Sequence, residues 1–164
     1  MEDHERRDLA AMLQPLLRAL IEAELPVLAG HGITMWAYVV LNALHDAPQS
    51  TQAALAEKIG ADKTRIIATL NDLQAAGLIA RAPDPADRRA RLLSITPAGN
   101  RVRRGVQGEI QRNEERVLAG LPPADRRAFL RAVDLLSSLP VAQILTGPLA
   151  GQKASRPPAG GTCT

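Results

Sequence analysis

Between Ala53 and Ile95 two short helical patterns are separated by the turn Gly60-Ala61-Asp62, and an apolar exit, Gly77-Leu78-Ile79, follows them. An arginine-rich loop, Asp84-Pro85-Ala86-Asp87-Arg88-Arg89-Ala90-Arg91, then stands between two runs with strand character. In the first helix the inward face is Leu55 and Ile59, with Ala56 beside them, and Ser50 or Thr51 offers the N-cap. Gly60 supplies the positive φ that a tight inter-helix turn needs, and Asp62 caps the second helix, which runs from Lys63 to about Ala76. On a wheel of 100° per residue Leu70 and Leu73 fall within about 40° of Ile66, so these three form the buried stripe. Thr64, Ala68 and Ala75 lie opposite, flanked by Arg65, Asn71 and Asp72. Small and hydrogen-bonding residues there suit a helix that approaches another surface closely. Gly77 fits the position that ends this helix. Leu78-Ile79-Ala80-Arg81 and Arg91-Leu92-Leu93-Ser94-Ile95 read as two antiparallel strands, and the loop between them, with Pro83 and Pro85, should protrude.

Helical patterns frame this stretch on both sides. Leu9, Met12, Leu13, Leu16, Leu17, Leu20, Ile21 and Leu25 recur at steps of three and four, as on one helical face. Pro15 is expected to kink this helix or break its start, and Pro26 with Gly30-His31-Gly32 to end it. So wide an aliphatic stripe on a terminal helix suggests packing against a partner chain. A second helix, capped by Thr34 and apolar nearly all round, should run to His45-Asp46-Ala47-Pro48 as a buried element. Thr96-Pro97 starts a further helix, a capping hydroxyl followed by proline at the first helical position, which reaches about Leu118 with Val102, Val106, Ile110 and Val117 on its apolar side. A last helix, from about Ala124, presents Phe129, Val133, Leu136 and Leu139. From Pro140 on no periodicity survives, and that tail is expected to be disordered.

Charge is distributed unevenly. The formal net charge is only +3, but from Arg81 to Arg104 seven arginines face two aspartates, a local excess of +5. That is an electrostatic footprint for a polyanion. A helix of small residues that fits a major groove about 12 Å wide, next to cations on a protruding loop, satisfies two requirements of duplex reading. Asp87 is the odd member, since an acid would repel phosphate, and its expected work is to bond loop N–H groups or hold an arginine. The overall reading is a mostly α protein with a small β wing.

The segments Gln52-Ala-Ala-Leu-Ala-Glu-Lys-Ile-Gly60, Asp62-Lys-Thr-Arg65, Leu70-Asn-Asp-Leu73 and Gly77-Leu-Ile-Ala-Arg81 resemble a MarR-type winged helix-turn-helix. Asp84-Pro-Ala-Asp87-Arg-Arg89, followed by Leu93-Ser-Ile-Thr96-Pro-Ala-Gly99, is similar to the wing and wing-to-helix signature of the same family. The order of elements agrees over about Leu9–Leu139. The resemblance implies a homodimer whose reading helices enter the two halves of a near-palindromic DNA operator, acting as a repressor released by a small phenolic or anionic ligand. It divides the chain into an N-terminal dimerisation helix (1–32), the DNA-binding region (33–96), C-terminal dimerisation helices (97–139) and the tail (140–164). By match to the family motif, Thr64, Arg65 and Ala68 face bases, while Lys63, Thr51 and Gln52 meet phosphates. Asp87, Arg88, Arg89 and Arg91 belong to the wing. The alternative is a winged-helix protein-interaction module that does not bind DNA specifically.

Other chemistry finds little support. His4, His31 and His45 share no ligand spacing and no cysteine stands near them, so no metal site or cofactor is expected. The single Cys163 excludes an internal disulfide framework. No nucleophile–base set, paired carboxylates or phosphate-cradling glycine loop appears, so an enzyme is not expected. Trp36 and Tyr38, with His31, are candidates for an effector pocket between the terminal helices and the reading head, and the two aromatics serve equally well as core. No apolar run approaches the roughly 20 residues that span a bilayer, and the mixed-charge N-terminus is unlike a signal or transit peptide, which points to the cytoplasm.

Overall fold

A computed structural model describes residues 7–47, 50–87, 89–140 and 144. The elements run in the order α1 (Leu9–Gly30), α2 (Met35–Asp46), β1 (Ser50–Thr51), α3 (Gln52–Ile59), α4 (Lys63–Ala75), β2 (Ile79–Pro83), β3 (Arg91–Ile95), α5 (Pro97–Leu118) and α6 (Pro123–Ser137). The chain divides into two compact units at Leu118, with α6 in the second. The expected disordered tail lies, apart from Pro140 and Ile144, outside the described residues.

Helix starts follow local hydrogen bonding. The hydroxyls of Thr34 and Thr51 accept from the amides of Ala37 and Ala54, at 3.1 and 3.2 Å. The Asp62 carboxylate accepts from the Arg65 amide at 2.9 Å, and the Thr96 hydroxyl from the Gly99 amide at 3.0 Å. Each satisfies an N–H that a helix start leaves orphaned. Between α3 and α4, Gly60 adopts φ 63°, which lets the chain turn within three residues.

α2 is the centre of the first unit. Val40, Leu41 and Leu44 are fully buried, and around them pack Leu55 of α3, Ile66, Leu70 and Leu73 of α4, and Leu93 of β3. The three α4 residues are the stripe that the wheel placed inward. A smaller cluster joins Val27 and Leu28 of α1 to Val106 and Ile110 of α5.

Three features depart from expectation. Pro26 does not end α1, which continues through it to Gly30, and the helix begins at Leu9, ahead of Pro15. An interior proline costs about 3 kcal/mol, but Val27 and Leu28, directly after Pro26, are buried against α5. Burial of such side chains stabilises by about 1.5–3 kcal/mol each, enough to carry the helix past the proline. Arg7 Nη2 donates to the Ala11 carbonyl at 3.5 Å, the acceptor that Pro15 leaves without its helical donor.

The second departure is a third strand. Sheet order is β1-β3-β2, antiparallel throughout, with Ser50 opposite Leu93 and Thr51 opposite Leu92. The third is that β2 extends to Pro83, which pairs with Arg91, so Pro83 belongs to the hairpin and not to the loop. Proline is tolerated there because β2 is an edge strand.

The aliphatic stripe of α1 has little cover. Leu9, Met12, Leu13, Leu17, Ile21 and Leu25 are exposed, as are Leu130, Val133, Leu135 and Leu136 of α6.

Candidate nucleic-acid interface

α4 is held from behind and presents its other side to solvent. With Ile66, Leu70 and Leu73 in the core, Thr64, Arg65, Ala68, Asn71, Asp72 and Ala75 are all exposed. Thr64, Arg65 and Ala68, singled out by sequence, therefore share one accessible face. Ile67 is exposed beside them, an apolar contact residue that the sequence reading missed because an isoleucine next to Ile66 reads as core. The Lys63 backbone opens α4.

Arg65 has two neighbours of matching chemistry. Its guanidinium lies over the Trp36 ring, 5.2 Å from the centroid, and its Nε is 3.9 Å from Asp62 Oδ2. Both contacts hold the charge near the first turn of α4.

The wing is shaped by its two aspartates. Asp84 Oδ1 accepts from the Ala86 amide at 2.8 Å and Asp87 Oδ1 from the Arg89 amide at 2.9 Å. The Asp84 amide reaches the Ala90 carbonyl, and the Ala90 amide the Asp87 carbonyl. Asp87 thus bonds loop N–H groups, as its place in a basic loop suggested, and the loop closes on itself with Arg89 and Arg91 exposed. Arg88 lies outside the described residues. At the root of the wing Arg81 Nη2 donates to Asn71 Oδ1 at 3.0 Å, tying β2 to α4.

Thr51 and Gln52 sit where β1 passes into α3, both half-buried. The Thr51 hydroxyl accepts the Ala54 amide and keeps its own proton available to donate.

The three candidate effector residues have different immediate surroundings. Trp36 and Tyr38 are two residues apart on α2 and so point about 200° apart. Trp36 meets Arg65, while Tyr38 packs against the Val27–Leu28–Val106–Ile110 cluster. His31 Nε2 is 3.1 Å from Glu109 Oε1 on α5. Elsewhere, α1 and α5 enclose an apolar cavity of about 190 Å³ lined by Leu16, Leu20, Ile110 and Val117, with Glu24 and Glu114 at its wall. Burial, reinforced by the Glu114 charge, raises the Glu24 carboxyl above its ordinary range.

Comparison with known proteins places this architecture. A sequence model of the MarR family matches residues 31–90. The PcaV transcriptional regulator from Streptomyces coelicolor, solved in complex with its natural ligand, is 30% identical. That alignment covers 80% of this chain and 96% of that one, with a TM-score of 0.58. This chain belongs to the MarR family. The MarR-family reading is extended by a putative transcriptional regulatory protein for the hcr operon of Thauera aromatica. It is 29% identical over 127 residues, 77% of this chain and 72% of that protein. The transcriptional repressor CouR, solved on a 23-mer DNA duplex, is 25% identical with a TM-score of 0.67, over 79% of this chain and 92% of its own. The chain is thus a MarR-family transcriptional regulator with a DNA-binding winged helix, and its relatives are regulators rather than enzymes. Among the described residues no single helix is long and apolar enough to cross a membrane.

Proposed function

We propose that the protein is a cytoplasmic, homodimeric repressor that binds a near-palindromic operator and leaves it when a small phenolic or anionic ligand binds. The observation that carries the DNA reading is the exposed face of α4, with Arg65 at its leading end, standing beside a wing whose Arg89 and Arg91 are exposed. In this reading Thr64, Arg65 and Ala68 meet base edges in the major groove, and Ile67 offers an apolar contact for a thymine methyl. Lys63, Thr51 and Gln52 meet phosphates, and Arg88, Arg89 and Arg91 reach the backbone or the neighbouring minor groove, with Asp87 holding the wing in shape.

Dimerisation is supported by the uncovered apolar residues of α1 and α6, since so much exposed aliphatic surface is unusual on a monomer. Residues 1–32 and 97–139 would supply the interface and 33–96 the reading head. CouR on its duplex supports the DNA partner, and PcaV with its natural ligand supports an effector. His31, Tyr38 and Trp36 are proposed as effector-responsive residues.

Titration with genomic fragments at several salt concentrations tests the DNA reading. Affinity should fall steeply with salt through counterion release and should differ between fragments. No preference among fragments would favour a protein-interaction module instead. Light scattering at micromolar concentration should give the mass of two chains, and a stable monomer would overturn the dimer.

A further inference from the structure

We propose that the cleft between the end of α2 and the first two turns of α5 is a binding site for a small anion carrying a carboxylate or phosphate head. The cleft holds about 490 Å³, and Arg101, Arg103, Arg104, Asn100 and His45 line it without any carboxylate. Arg103 is its deepest member, only 7% exposed. Its Nη1 donates to the neutral Gln107 Oε1 at 3.0 Å, and its buried Nε has no partner. Among the described residues no carboxylate lies within ion-pairing distance of it.

A guanidinium keeps its charge at any ordinary pH, so burial cannot be relieved by losing a proton. A buried charge without a counter-ion is among the most unfavourable arrangements in a protein interior. An anion removes that imbalance. Because Gln107 occupies Nη1 and the enclosed Nε is out of reach of the cleft, Nη2 is the donor left for a carboxylate or phosphate oxygen, through a charge-assisted hydrogen bond. Arg101 and Arg104 are exposed and stand at the rim, where they would draw an anion in and close on its outer oxygens. The end of the helix does not supply the attraction by itself, since the Gly99 and Asn100 amides are already bonded to Thr96. None of these residues belongs to the reading face of α4 or to the wing loop, so the inference concerns binding alone and does not rest on the operator reading.

Calorimetric titration of the full chain without DNA tests it, with inorganic phosphate and benzoate as separate probes and chloride balancing ionic strength. Saturable binding of one anion per chain is expected with at least one probe, and which probe binds distinguishes a phosphate site from a carboxylate site. Arg103→Met should weaken that binding roughly tenfold or more, as expected for loss of charge-assisted hydrogen bonds. The double variant Arg101→Gln with Arg104→Gln leaves the buried residue in place and should also weaken it. It decides the matter alone if Arg103→Met fails to fold. No saturable heat with either probe, or titrations unchanged in the variants, would overturn the proposal.

Discussion

The guanidinium of Arg65 on the reading helix rests over the ring of Trp36 on α2, 5.2 Å from its centre. A cation on an aromatic face gains about 0.5–1 kcal/mol at an exposed site, enough to favour one posture over the many a surface arginine samples. Arg65→Ala should relax base preference, costing about 1–3 kcal/mol on the best operator if the contact to a base is bidentate. Affinities for operators with single base-pair changes measure this, and equal loss on every sequence would remove Arg65 from base reading. Trp36 is the only tryptophan in the chain, so its emission should change on operator binding in the wild type and change much less in Arg65→Ala.

Arg89 should behave differently. It is exposed on a loop fixed by Asp87, and phosphate contacts carry no sequence information. Arg89→Ala is expected to weaken binding to all duplexes alike and to lower the slope of log affinity against log salt by about one. A changed sequence preference with an unchanged slope would place Arg89 on a base edge instead.

Gly99 stands where α5 crosses the end of β2's approach, and a Cβ there would run into the Leu78 carbonyl oxygen and crowd the Ile95 side chain. The first obstacle is backbone already bonded to the Thr96 amide, so it cannot move aside without breaking that bond. Gly99→Ala should lower unfolding free energy by roughly 1–3 kcal/mol, as overpacking does. Urea denaturation with an unchanged midpoint would show that the junction is softer than its contacts imply.

Glu24 sets a pH dependence. Its carboxyl is raised from an ordinary 4.5, first by burial and then by Glu114. The folded chain therefore holds this proton to higher pH than the unfolded chain, and stability falls as pH rises from 4.5 through the raised value. Above that value the destabilisation is fully felt. Glu24→Gln should raise the denaturation midpoint at pH 7 and flatten its dependence over that window, leaving the midpoint below pH 4.5 little changed.

What could be read from the chain alone was whatever depends on neighbours three or four residues away. Thr34, Thr51, Asp62 and Thr96 cap helices through bonds to the third residue on, and Ile66, Leu70 and Leu73 share a face by helical repeat. Contacts between distant segments were not legible. Pro26 reads as a stop because the burial of Val27 and Leu28 against α5 lies outside any local window. β1 is two polar residues long and exists only because β3 passes beside it. In the candidate site, the outer face of α4 and the shaping role of Asp87 were visible in the pattern, but the Trp36–Arg65 contact and the exposure of Ile67 were not. Arg103 is a sharper case, for it counted toward the basic stretch from Arg81 to Arg104 and yet lies inside the protein. Summed charge does not distinguish a surface cation from a buried one.

At the junction of α4, β3 and α5, Thr96 donates its hydroxyl to the Gly77 carbonyl at 2.7 Å and its amide to the Leu78 carbonyl at 3.0 Å, while also capping α5. One residue thus fastens the exit of the reading helix, the foot of the wing and the first turn of α5, leaving no slack segment among them. α5 is then the handle of a key and α4 its bit. In the proposed reading, a ligand or a second chain that turned α5 would act on helix and wing through the Thr96 bonds without touching the DNA-facing surface.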